Sequence, residues 1–342
     1  MAIISFRPKQ VSKKLLSVLK DRSFDVIANR YGLTDDSERK TLEAIGKKYG
    51  ITRERVRQIE NAALGAIRKS SLMEEHGSVF EELKNLIHNM GFVIEEDELL
   101  NSIAKDKATQ NHIHLYLVLS DLFNKHKEDD HFKTRWVVEH ESVKKVHEAL
   151  ANLYESLGDD ELIPESKMIE RFLSHIKDIS EEHRDEEVIK RWLRLSKKID
   201  KNPLNEWGKS DSKNVKTRGV KDYTYLVMRK HGEPMHFREV AEAITKTFNR
   251  KTLAATTHNE LIKDSRFVLV GRGRYALKEW GYKPGIVREV IAEIIKQNGP
   301  MTKDEIVDAV LKERFLKRNT ILVNLHNQKY FKKLKDGRYD NV

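Results

Sequence analysis

The chain has 342 residues, a net charge of +10 and no cysteine, with 35% charged and 39% hydrophobic residues. That length and composition suit two or more soluble, helix-rich domains, and the missing cysteines exclude disulfides and thiolate metal sites. No stretch approaches the roughly 18 apolar residues of a membrane span, and MAIISFRPKQ is too briefly apolar for a signal peptide, so a cytoplasmic, nucleoid-associated protein is expected.

The charge is unevenly placed. Residues 1–71 carry 16 Lys/Arg against 8 Asp/Glu, residues 72–200 carry 18 against 29, and residues 201–342 carry 30 against 17. Two basic ends flank an acidic middle. Basic ends attract phosphate backbones, whereas an acidic centre suits solvent or a basic protein surface.

In chain order, the first informative segment is TLEAIGKKYGITRERVRQIENAALGAIR, Thr41 to Arg68. Leu42 and Ile45 mark the inner face of a short helix, Gly50 supplies a turn, and Thr52 stands where a side-chain oxygen caps the next helix. On that second helix Val56, Ile59 and Ala63 share one face at spacings of three and four. Arg53, Glu54, Arg57 and Gln58 share the opposite face, near the helix N-terminus. This is the layout of a helix-turn-helix presenting its recognition helix to a major groove.

The phrase ITRERVRQIE, with the preceding LKDRSFDVIANRYGL, resembles region 4 of the sigma-70 family of bacterial transcription initiation factors over about residues 12–70. The resemblance implies reading of a minus-35 type promoter element in double-stranded DNA and docking on the β flap of RNA polymerase. Carried over by residue, it makes Arg53, Glu54, Arg57 and Gln58 base-reading candidates and Thr52 and Arg55 backbone contacts. The chemistry agrees, since arginine grips guanine O6 and N7 with two bonds and a carboxylate accepts from cytosine N4. No region 2 pattern, which would capture melted DNA, occurs before or after this segment. A self-sufficient sigma factor is therefore not expected.

Residues 72–207 read as amphipathic helices over Phe80–Met90, His114–Phe123, Val143–Leu157 and Lys167–Ile176. Phe132–Val138 and Pro203–Trp207 are candidate hairpin edges. Helices followed by a strand with tryptophan hint at degenerate winged helices. Residues 208–221, GKSDSKNVKTRGVK, read as a flexible basic linker, a phosphate-touching wing or a solvated loop.

An internal repeat follows. GEPMHFREVAEAI (Gly232 to Ile244) parallels NGPMTKDEIVDAV (Asn298 to Val310), and both units later carry Gly-Arg-Tyr. Each reads as three helices and a β-hairpin, giving winged helices over 222–283 and 284–342. The first resembles the HARE-HTH domain shared with the delta subunit of RNA polymerase, through Pro234, MHFREVAEAI and YALKEWGY. The second lacks the closing Trp-Gly-Tyr. Arg272 and Arg274 at the first hairpin are candidate DNA-backbone contacts, or a solvated tip.

Several other patterns carry no chemistry. His112 and His114 would point apart on a helix and have no carboxylate at ligand spacing, so no metal is expected. Glu95-Glu96-Asp97-Glu98 opens a helix, where acids complement the dipole. No phosphate loop, nucleophile motif or two-metal carboxylate cluster is present, so no cofactor and no enzymatic activity are expected. The expected fold is mainly α: an N-terminal helix-turn-helix, a helical middle and tandem winged helices. The expected function is promoter-type DNA binding with polymerase association. The alternative is a polymerase-binding module, delta-like or sequestering, with DNA contact secondary.

Overall fold

The computed structural model describes residues 4–176, 183–282 and 284–342; the first three residues of MAIISFRPKQ lie outside them. The chain divides into two compact units, 1–201 with 207–210, and 202–206 with 211–342.

The N-terminal unit begins with α1 (Pro8–Leu16), α2 (Asp21–Tyr31), α3 (Leu42–Tyr49) and α4 (Arg53–Arg68). Short α5 (Ser71–Glu75) leads to α6 (Gly77–Asn89), β1 (Val93–Glu95), α7 (Glu96–Ile103), α8 (Lys107–Leu119), β2 (Asn124–His126) and β3 (Arg135–Val137). The same order then recurs as α9 (His140–Ser156), β4 (Ile163–Pro164), α10 (Glu165–His175), α11 (Glu186–Leu195), β5 (Ile199–Lys201) and β6 (Glu206–Lys209). Both sheets are antiparallel with the last strand central, β1-β3-β2 and β4-β6-β5. These are two winged helices.

They share a side-chain constellation. Trp136 of β3 donates Nε1–H to Glu96 at 2.9 Å, with Lys125 bonded to the same carboxylate and lying 5.3 Å from the indole. Trp207 of β6 donates to Glu165 at 3.2 Å, with Lys201 at 3.9 Å from the carboxylate and 5.9 Å from the indole. A buried indole N–H needs an acceptor, and the first residue of the second helix supplies it in both copies. Burial alone would raise the pKa of Glu96, but His114, 3.6 Å away, and the Lys125 bond outweigh it and hold the carboxyl at about 2.

The C-terminal unit repeats the plan. α12 (Val220–His231), β7 (Met235–His236), α13 (Phe237–Phe248), α14 (Ala254–Lys263), β8 (Phe267–Leu269) and β9 (Arg274–Leu277) form the sheet β7-β9-β8. α15 (Val287–Asn298), α16 (Lys303–Glu313), α17 (Arg318–Leu325), β10 (Phe331–Lys333) and β11 (Tyr339–Asn341) follow. Here the third strand shrinks to a bridge between Met301 and Tyr339. A capping box closes α16, with Thr302 accepting from the Glu305 N–H and the Glu305 carboxylate accepting from the Thr302 N–H. The fold is mainly α, with small antiparallel hairpins.

Two expectations fail locally. The segment 208–221 is not a free linker: Gly208 and Lys209 complete β6, while Ser212, Asn214 and Val215 are buried. Its polar composition hid the packing, because Ser212 and Asn214 spend their polar groups on a turn, with the Ser212 Oγ accepting from the Asn214 N–H. The helix expected at His114–Phe123 runs instead from Lys107 to Leu119 and is not amphipathic. Its Asn111 to Leu117 are all buried, and a helix covered on every side belongs inside a fold.

Candidate nucleic-acid interface

The helix-turn-helix is built from local chemistry. Thr41 Oγ1 accepts from the Ala44 N–H at 3.1 Å, starting α3. Gly50 ends it at φ +63°, where no other atom lies near the missing Cβ. Thr52 Oγ1 accepts from the Arg55 N–H at 3.2 Å, starting α4. Val26, Ile45 and Val56 are fully buried and fix the angle between α2, α3 and α4. Arg30 adds a polar clamp, donating to the Lys40 carbonyl at 3.1 Å and lying 3.4 Å from Glu60.

The opposite face of α4 is free of packing. Arg53, Glu54, Arg55, Arg57 and Gln58 are all exposed on its first two turns, and Thr52 stands exposed at the cap. They are paired among themselves. Arg57 grips Glu54 with two bonds of 2.7 and 2.8 Å, Arg55 donates to Gln58 at 3.0 Å, and Arg53 lies 3.1 Å from Glu43 of α3. The Arg57 bond holds the Glu54 carboxyl below its usual range. Exposed pairs contribute only about 0–1 kcal/mol each, so a base edge or phosphate can displace them.

The head is not a separate bead. α8 lies against α1, α2 and α4, so one core runs from Val11 and Leu15 through Ile27, Ile67, Ile113 and Leu117 to Trp136. Asn111, fully buried, ties the seam: Nδ2 donates to the Gly32 and Ser37 carbonyls at 2.9 Å, and Oδ1 accepts from Arg39 at 2.7 Å. Arg68 donates to the Leu119 and Val118 carbonyls at 2.9 and 2.6 Å, and His112 and Tyr116 both meet Ser12 at 2.8 Å. Sequence reasoning missed these residues. The apolar run Ile113 to Leu119, interrupted only by His114, was the signal. His112 and His114 thus serve the core, and among the described residues no group of three His, Asp or Glu could hold a metal.

The hairpin arginines separate. Arg272 is exposed, whereas Arg274 is half-buried, donating to the Pro234 carbonyl at 3.2 Å and lying 3.4 Å from Glu239 and 6.0 Å from the Phe315 ring. The same hairpin is held by a bond from the Phe315 N–H to the Val270 carbonyl at 2.7 Å. Arg274 is therefore engaged within the protein, though its side chain is still 39% exposed, and Arg272 is the more open of the two. Among the described residues no helix is long and apolar enough to cross a membrane.

Comparison with known proteins agrees with both resemblances. The family model "Sigma-70, region 4" matches residues 15–69. The HARE-HTH model, described as an "ASXL, restriction endonuclease HTH domain", matches residues 218–280. A curated relative, RNA polymerase sigma factor SigA1 of Synechococcus elongatus, is 48% identical over 65 residues. That stretch is 18% of this chain and 16% of the relative, so the chain spans about a sixth of the relative's length.

Proposed function

We propose that this chain is a DNA-binding, sigma-like regulator of transcription that reads promoter-type duplex DNA of the minus-35 kind through α4. The observation that carries this reading is the capped, exposed first half of α4, with Arg53, Glu54, Arg57 and Gln58 on one face and the core on the other. Arginine forks suit guanine, glutamine suits adenine, and Glu54 suits cytosine. Thr52 and Arg55 flank them as backbone contacts. The likeness of this segment to a sigma factor supports association with bacterial RNA polymerase through the β flap, and hence a place on the nucleoid. The chain acts by binding in this reading, with no catalytic role.

Fluorescence anisotropy of a minus-35 type duplex at fixed salt tests base reading. Arg53→Ala and Arg57→Ala should each cost about 1–3 kcal/mol, on the order of 5- to 150-fold in Kd, and relax preference at one base pair. Unchanged affinity in both variants would end the base-reading claim.

A second reading rests on the acidic middle, where α8 is buried from Asn111 to Leu117 and the open face of α11 begins with exposed Glu186 and Glu187. There the chain is chiefly a polymerase-binding module. Capture of core polymerase without DNA, undiminished in the double arginine variant, together with no affinity for free duplex, would favour it over the first.

A further inference from the structure

The four winged helices share a plan, but their third helices and hairpins meet different fates. In the first, α8 is enclosed beneath the head, and the hairpin is held by bonds from the Lys133 N–H to the Leu195 carbonyl (3.0 Å) and the Lys197 N–H to the His131 carbonyl (2.7 Å). In the second, α11 buries Val188, Ile189, Trp192, Leu193 and Leu195. Its Arg194 is committed to Glu98 at 2.7 Å, and Glu206, on strand β6 of the hairpin, pairs with Arg229 at 2.8 Å. In the third, α14 buries only Thr257 and Leu261, yet the hairpin is held at Val270 by Phe315 and Arg274 is engaged.

In the fourth neither element is engaged. α17 buries only Ile321 and Leu325, leaving Arg318, Asn319 and Val323 exposed beside the exposed cap residue Lys317. The β10–β11 hairpin carries exposed Lys332, Lys333, Lys335 and Arg338. Arg318 pairs with Asp304, Lys332 approaches Asp340 at 4.0 Å, and Arg338 pairs with Asp336 at 2.6 Å. Lys317, Lys333 and Lys335 enter no ion pair among the described residues.

We propose that this fourth winged helix is a second duplex-DNA site that holds phosphates through Lys317, Lys333 and Lys335 without regard to sequence. Lysine is a compact point charge on a flexible stem, suited to phosphate rather than to two-pronged base recognition. The outward face of α17 carries Arg318, paired with Asp304, then Asn319 and the apolar Val323, a sparser polar set than the arginines, glutamate and glutamine of α4. Residues 284–342 carry 12 Lys/Arg against 8 Asp/Glu, and that positive balance draws the same ligand. The chain would then have a reading end and a holding end.

The test uses the full chain with duplexes of about 12 base pairs, little more than one helical turn. Sedimentation with excess duplex should give two duplexes per chain. The combined variant Lys317→Gln, Lys333→Gln, Lys335→Gln should bind one, with circular dichroism unchanged. In the Arg53→Ala, Arg57→Ala chain the remaining site should ignore sequence and weaken about 40-fold when salt rises fourfold, since three phosphate contacts give a slope of about 2.7. If the arginine variant leaves binding unchanged but the lysine variant loses the salt-steep component, base reading falls and this site stands. A single duplex per chain that the glutamine variant still binds at full strength would overturn the proposal. So would displacement of duplex from this site by single-stranded RNA at lower concentration.

Discussion

Replacing Asn111 by leucine removes the polar tie between α8 and the turn after α2 while keeping the side-chain volume. Three bonds go: two from Nδ2 to the Gly32 and Ser37 carbonyls, and one from Arg39 to Oδ1. A neutral bond contributes about 1 kcal/mol net and a charged one about 1.5–3. Arg39 is exposed enough to turn toward water, so its bond counts at the low end. The sum is about 3.5 kcal/mol, or roughly 400-fold in a local opening equilibrium. Hydrogen exchange on the full chain should show protection in α1, α2 and α8 falling by that factor, with amides of α15–α17 unchanged. Asn111→Asp should behave similarly, since it keeps an acceptor for Arg39 but sets a carboxylate against two carbonyls. A loss under tenfold in α8, or a loss spread equally over the C-terminal unit, would refute the claim that Asn111 ties the head to its neighbour.

Two glycines should differ sharply on mutation to alanine. Gly50→Ala meets no atom and should cost about 1–2 kcal/mol for its left-handed backbone. Gly91→Ala, at φ +106°, would set a Cβ 2.7 Å from Val188 Cγ1 and 2.8 Å from Trp192 Nε1, and should cost at least about 3 kcal/mol; equal urea midpoints would contradict this. His147 accepts from Arg135 Nε at 3.0 Å, and burial, then Arg135, then His126 hold it neutral down to about pH 4. The unfolded chain therefore takes up a proton that the fold refuses. Stability should be full above pH 6.5 and fall by about 2 kcal/mol toward pH 4, after discounting for partial exposure. Glu96 adds a loss only lower, as pH drops from about 4.5 toward 2. His147→Gln, which still offers Arg135 an oxygen, should flatten the curve between pH 6.5 and 4; an unchanged slope in urea unfolding would show that another group titrates there.

Legibility in the sequence followed range. Gly50 and Thr52 were readable because turn, cap and partner N–H all lie between Gly50 and Arg55. The twin Pro-Met-helix and Gly-Arg-Tyr patterns were readable because repetition exposes a shared plan. The middle was harder. Glu96 and Trp136 stand 40 residues apart, Glu165 and Trp207 stand 42 apart, and nothing local ties either pair. Ser212 and Asn214 look like linker residues until the turn that buries them is known. The Gly-Arg-Gly-Arg hairpin looked uniformly cationic, but Phe315, 41 residues beyond Arg274, engages one arginine and leaves the other to solvent.

The seam under α8 also limits portability. The family match covers residues 15–69, yet the apolar faces of Leu15, Ile27 and Ile67 are covered by side chains that arrive some forty to fifty residues after it, from Ile113 to Leu119. A graft cut at the edges of the match would carry the lettering of the promoter reader without its spine, and would enter its new host with that side bare and prone to clump. A piece that could be moved intact has to reach past β3 to α11, because Phe92, Val93 and Val137 share a core with Val188 and Trp192, and the Lys133 N–H bonds the Leu195 carbonyl.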